Sequence, residues 1–154
     1  MEVSRIKVLY IDDEAHNLVA FKASFRREFT VFTAESASEG RSILEQNEIH
    51  VILSDQRMPK MTGIEFFESI LPAFPDPIRI LITGYTDISA VIDAINRGQV
   101  YKYLTKPWNE NEVKNFIDKA FEVYKLRKEN NHLTEKLIDI NGKLELMARH
   151  ALLS

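Results

Sequence analysis

The chain has 154 residues, 45% hydrophobic and 28% charged, with a net charge of −3. Such totals suit one soluble globular domain with room for an appendage, and give no electrostatic bias toward nucleic acid. The absence of cysteine excludes disulfides, thiolate metal sites and thiol nucleophiles.

The N-terminal segment MEVSRIKVLYIDDE meets acids too early for a signal peptide, and no apolar run approaches membrane-spanning length. A cytoplasmic protein without membrane contact is therefore expected. Along the chain, apolar runs of four to six residues alternate with segments of helical period, which predicts βα repeats and a parallel sheet. The expected strands are Ile6–Ile11, Phe29–Thr33, His50–Ser54, Ile78–Ile82 and Val100–Leu104. Most are nearly continuously apolar, as strands covered on both faces are. The intervening helices are expected over Ala15–Glu28, Ser36–Gln46, Ile64–Phe74 and Ile88–Arg97, the first with Leu18, Phe21, Ala23 and Phe25 on one face. Ser36 with Glu39 has the spacing of a capping box, Thr86-Asp87 offers a cap for the fourth helix, and Gly98 a stop. Pro72, Pro75 and Pro77 mark the way out of the third helix.

The groups at the strand ends carry the chemistry. Asp12 and Asp13 end the first, Asp55 the third, Thr83 the fourth, and Lys106-Pro107 the fifth. In an open α/β sheet, ligands bind beyond the carboxyl ends of the strands, so these groups can build one site. Three carboxylates together are costly unless a cation compensates, and Mg²⁺, a hard ion that favours oxygen ligands, fits them. An aspartate can attack a phosphoryl donor and hold the group covalently, so Asp55 is the candidate nucleophile in Mg²⁺-assisted phosphoryl transfer. Lys106 would pair first with the aspartate and then with phosphoryl oxygens. The Lys106–Pro107 bond is one that can be cis. Thr83 offers a hydroxyl, and Gly84 leaves room beside it. Glu14 reads as a solvated first-turn acid favoured by the helix dipole. Alone, Asp55 reads as a turn acid and Tyr103 as a core aromatic. The four histidines lack metal-ligand spacing.

Residues from about Ile6 to Tyr124 resemble the receiver domain of bacterial two-component response regulators. The likeness rests on the pair Asp12-Asp13, the stretch SDQRMPKMTG around Asp55, Thr83-Gly84, Tyr103 and Lys106-Pro107, matched in order and spacing. It implies a flavodoxin-like, doubly wound (βα)5 sheet of strand order 2-1-3-4-5. It also implies that Asp55 accepts a phosphoryl group from a histidine kinase or phosphotransfer protein. Asp13, Asp55 and the Arg57 main-chain carbonyl would ligate Mg²⁺, with Asp12 acting through water. Thr83 and Tyr103 would move as switch residues, and Arg57 and Tyr85 would tune phosphoryl lifetime. The implied role is signalling, at most assisting its own phosphorylation and dephosphorylation. The alternative is a phosphatase or phosphotransferase using the same aspartyl intermediate, which would turn over phosphate esters.

From Asn109 onward there are roughly forty residues with no proline and one glycine. Leu126, Asn130, Leu133, Leu137, Ile140, Leu144, Met147 and Ala151 alternate four and three apart, a heptad seam with one polar a-type position. Asn130 favours a parallel two-stranded register, although the flanking charges form no clear pairing code and Gly142 weakens the helix by about 1 kcal/mol relative to alanine. The expected division is a receiver over 1–124 and a coiled-coil extension over 125–154 that dimerises or leads to an effector domain in a longer regulator. Eight basic against eight acidic residues after Pro107, with no helix-turn-helix pattern, argue against direct DNA binding by this stretch.

Overall fold

The computed structural model describes residues 5–84 and 88–153. Five strands, β1 (Lys7–Ile11), β2 (Thr30–Ala34), β3 (Val51–Asp55), β4 (Ile78–Thr83) and β5 (Lys102–Thr105), form one sheet in the order β2-β1-β3-β4-β5. Every neighbouring pair is parallel. Between and after them run α1 (Ala15–Phe25), α2 (Ala37–Gln46), α3 (Gly63–Ile70), α4 (Ile88–Asn96) and α5 (Glu110–Leu153). Sheet and strand order are those the sequence led us to expect.

Because side chains alternate along a strand, each strand feeds two cores. Val8, Tyr10, Val51, Leu53, Ile80 and Ile82 face α1 and α5, where they meet Phe21, Phe25, Val113 and Ile117. Leu9, Ile11, Ile52 and Leu81 face the opposite way, toward Leu44 of α2, Phe66 and Ile70 of α3, and Val91 of α4. Parallel sheets covered on both faces need such apolar runs, which is why the strands were readable.

Helix ends were less so. Helix α1 stops at Phe25 rather than Glu28, and Ala23, expected on its inner face, is exposed while Leu18, Phe21 and Phe25 are buried. Ser36 does cap α2, its hydroxyl accepting from the Glu39 N–H at 3.2 Å, but the Glu39 carboxylate turns back to the Glu35 N–H rather than to Ser36. The reciprocal capping box lies instead at Thr62 and Glu65, opening α3, which ends at Ile70, short of Phe74. Gly98 stops α4 with φ +76°, a conformation that costs glycine little. The proposed cap at Thr86-Asp87 lies outside the described residues.

Helix α5 begins where Asn109 Oδ1 accepts from the Asn111 N–H at 2.8 Å, and runs on for 44 residues, about 66 Å at 1.5 Å per residue. Its first turns bury Val113, Ile117, Ala120 and Tyr124 against the sheet, with Phe116 and Phe121 half-buried at the margin. Residues 125–152 are all exposed, although Lys128 still reaches back to Asp76 at 2.9 Å. Gly142 does not interrupt the helix. No helix among the described residues is long and apolar enough to cross a membrane.

Candidate phosphoryl-transfer site

The C-terminal ends of β1, β3, β4 and β5 lie side by side, and the polar groups that end them meet there. Carboxylate oxygens of Asp12, Asp13 and Asp55 fall within 4.8 Å of one another. Asp12 is fully buried, Asp55 is 6% exposed, and Asp13 reaches the cluster from the exposed rim. The adjacent acids of β1 therefore do converge, because the backbone turns as the strand ends.

Asp55 lies under opposing influences. Burial pushes its carboxyl above the usual carboxylate range, and Asp12 adds to that, while Lys106 and the Arg57 main-chain N–H stabilise the charge. Lys106 Nζ donates to Asp55 Oδ2 at 3.0 Å from the far strand end. The Lys106–Pro107 peptide bond is cis. The carboxylate of this pair is buried while the lysine is partly open to solvent. Here the Lys106 N–H also donates to the Thr83 carbonyl, continuing the β4–β5 ladder past its last residue.

Asp12 is secured by three donors: the Tyr10 hydroxyl at 2.7 Å and Asn17 Nδ2 at 3.0 Å on Oδ2, and the Glu14 N–H at 2.9 Å on Oδ1. Glu14 is solvated as expected and reaches His16 Nε2 at 3.2 Å, but it occupies the N-cap of α1 rather than its first turn.

Thr83 is buried at the end of β4, its hydroxyl donating to the Gly84 carbonyl at 3.1 Å. By strand alternation it shares the face of Leu81, the α3 and α4 side, where Tyr103 is also half-buried. Asp12 and Asp55 share the opposite parity with Tyr10 and Leu53. A methyl at Gly84 would meet nothing within 4 Å, so the space expected beside Thr83 is there. The Arg57 side chain is exposed, and Tyr85 lies outside the described residues.

Sequence reading missed four residues here. Tyr10 and Asn17 hold Asp12; Tyr10 sits in an apolar strand and reads as core, though its i, i+2 spacing to Asp12 puts both on one face. Gln56 is buried, its Oε1 accepting from the Ile64 N–H at 3.0 Å and so tying the acceptor loop to the start of α3. Gly63 is pressed against the acceptor itself: a Cβ there would lie 2.6 Å from the Asp55 carbonyl oxygen and 2.7 Å from Leu81 Cδ1. Between them, Lys60 takes φ +70°, an uncommon conformation for a side-chain-bearing residue.

That contact makes a test. Gly63→Ala is expected to lower unfolding free energy by about 1–3 kcal/mol, since backbone and a buried leucine must give way. Gly84→Ala, facing open space, should stay within about 0.5 kcal/mol. Urea denaturation of the two variants against the parent measures both.

The response regulator receiver domain family matches residues 8–118. The chain belongs to that family. The receiver is 35% identical over 137 residues to the hydrogenase transcriptional regulatory protein HoxA of Cupriavidus necator, covering 89% of this chain and 28% of that protein. Its counterpart in Bradyrhizobium diazoefficiens is 34% identical over 122 residues, 79% of this chain and 25% of that one. The chain thus spans about a quarter of the length of these relatives. Among solved structures, a response regulator receiver domain protein from Clostridium thermocellum superposes with a TM-score of 0.74 at 33% identity, covering 79% of this chain and 98% of that one. Family membership makes the receiver a signalling module of two-component systems, in which an aspartyl phosphate and Mg²⁺ are typical. The acidic cluster, all hard oxygen donors with one open rim, suits such an ion.

Proposed function

We propose that Asp55 is the phospho-acceptor of this receiver, and that its phosphorylation controls assembly through α5. The observation that carries this is Asp55's position, buried at the end of β3 with Lys106 at 3.0 Å and two further acids within 4.8 Å. A carboxylate oxygen of Asp55 forms the new P–O bond as the P–N bond of a donor phosphohistidine breaks, and the imidazole leaves as the neutral ring once protonated. Asp13, Asp55 and the Arg57 carbonyl would hold Mg²⁺ directly and Asp12 through water. When bound, the ion supplies positive charge against the phosphoryl oxygens. Lys106 exchanges its bond to Asp55 for one to the phosphoryl group. Thr83, freed from the Gly84 carbonyl, follows it, and Tyr103 moves on the same side of the sheet. Arg57 and Tyr85 tune the lifetime of the phosphorylated state.

The partner that supplies the phosphoryl group is a histidine kinase or phosphotransfer protein, and a cytoplasmic location goes with it. We divide the chain into a receiver over 1–124 and a helical extension over 125–154, since Tyr124 is the last buried side chain of α5. Leu126, Leu133, Leu137, Ile140, Leu144 and Met147 are each about half exposed or more, and their heptad spacing suits a second copy of the same helix. From Trp108 onward eight basic residues stand against eight acidic ones, a balance that gives this stretch no grip on nucleic acid.

Sedimentation equilibrium with and without Mg²⁺ plus beryllofluoride, a phosphoryl mimic, tests the whole reading, with Asp55→Ala as control. A mass of two chains that appears with the mimic and is lost in the variant ties assembly to the acceptor. Two chains under every condition make assembly constitutive, and the signal a rearrangement within the dimer. One chain throughout overturns dimerisation.

A further inference from the structure

We propose that Tyr10 is a positioning residue for the metal-binding acid Asp12, carrying through its hydroxyl part of the charge compensation that a bound cation supplies. The inference rests on reading the acidic cluster as a Mg²⁺ site and deepens that reading. The phenol of Tyr10 is 1% exposed and donates at 2.7 Å to Asp12 Oδ2, one of the shortest side-chain contacts at the site. Strand alternation makes the contact possible: residues 10 and 12 lie on the same face of β1 where the strand ends. The ring is held independently, stacked at a tilt on Phe21 with centroids 4.4 Å apart, so the hydroxyl position is set by packing rather than by the bond it makes.

The geometry divides Asp12 into two halves. Oδ2 takes the two side-chain donors, Tyr10 and Asn17, and Oδ1 takes only the Glu14 N–H. A carboxylate has about four acceptor positions, which leaves the free one on Oδ1, for a metal-bound water. Without a cation, the Asp12 carboxyl lies fully buried beside two other acids, and Tyr10 is the best-buried side chain that donates to it. With a cation, the same charge is neutralised from the other side, and the phenol matters less. Tyr10 and the ion are therefore competing stabilisers of one carboxylate, coupled negatively through it.

A cleft of about 440 Å³ lined by Tyr10, Asn17, Lys106, Pro107 and Trp108 adjoins the phenol. Water entering from it can replace a missing hydroxyl in part, which bounds the effect at severalfold rather than orders of magnitude. The same cleft places the chain's single tryptophan, Trp108, where its fluorescence can report on the site.

Tyr10→Phe keeps the ring and removes the donor. Titration with MgCl₂, followed by calorimetry and by Trp108 fluorescence, should show affinity raised severalfold. Thermal unfolding should show a deficit relative to the parent that shrinks at saturating Mg²⁺. Asn17→Ala removes the other donor to Oδ2 from the rim of the site and should shift Mg²⁺ affinity in the same direction, which keeps the inference testable if the phenylalanine variant folds poorly. Unchanged affinity with a deficit equal at all Mg²⁺ concentrations reduces Tyr10 to packing and overturns the proposal. Weakened affinity overturns it too, since the phenol would then assist the cation. A parent protein that binds no Mg²⁺ removes the metal-site reading itself, a failure distinct from either.

Discussion

Asp55→Ala is expected to take up no phosphoryl group from a small acyl phosphate in the presence of Mg²⁺, under conditions that modify the parent. Intact-mass measurement reads the result directly. The neighbouring acids are poor substitutes. Asp12 is fully buried with three donors on its oxygens, and Asp13 lies on the rim without the lysine that Asp55 has at 3.0 Å. An incoming phosphorus atom needs a carboxylate with a free oxygen, a nearby cation and a line of approach. Asp55 alone combines them among the described residues of the cluster. The same substitution should leave stability no lower in the absence of Mg²⁺. It deletes a charge that burial and Asp12 both disfavour, and the lysine it strands is 38% exposed and can turn to water. Denaturation that shows a large loss instead would make the Lys106 pair a structural necessity. Activity obtained at the expense of stability is a common signature of a functional site.

Placing aspartates at both Leu133 and Leu137 should reduce the protein to single chains in sedimentation equilibrium. Four leucines across a dimer, each a little over half exposed in the single chain, contribute roughly 3–7 kcal/mol when covered, enough to weaken association at least about a hundredfold when lost. Helix content beyond Tyr124 should fall as well, since most helical stability comes from packing of the apolar face rather than from propensity. The matching pair Ile138→Asp with Leu146→Asp serves as control. Both residues are more than 60% exposed, but they fall off the seam, so association should survive. Equal loss in both pairs would mean a broad apolar surface rather than a two-stranded seam.

The strands and the strand-end groups were legible because each is a local pattern: an apolar run succeeded at once by an acid, a hydroxyl or an ammonium. The long C-terminal helix was legible from period alone, and α5 does run unbroken to Leu153. What escaped was set by residues far apart in the chain. Nothing near Gly63 announces that Leu81 and the Asp55 carbonyl will close upon it. Tyr10 looked like core because it is core, and only the register of β1 against the turn after it converts a buried aromatic into a donor. Helix caps fell between these cases. Ser36 had the right partner spacing, yet Glu39 found the Glu35 N–H first, whereas Thr62-Gly63-Ile64-Glu65 held the full box without drawing notice.

One backbone carries both the contacts of Val113, Ile117, Ala120 and Tyr124 with the sheet and the row that begins at Leu126. The azimuth of that row is therefore keyed to the receiver like a cam to its shaft. Each residue added or removed between Tyr124 and Asn130 would rotate everything downstream by about 100°, while seven would bring it nearly back into phase. Homologous proteins that vary the junction by whole heptads would keep the angular setting, and those that vary it by one or two would have to re-time whatever the helix drives.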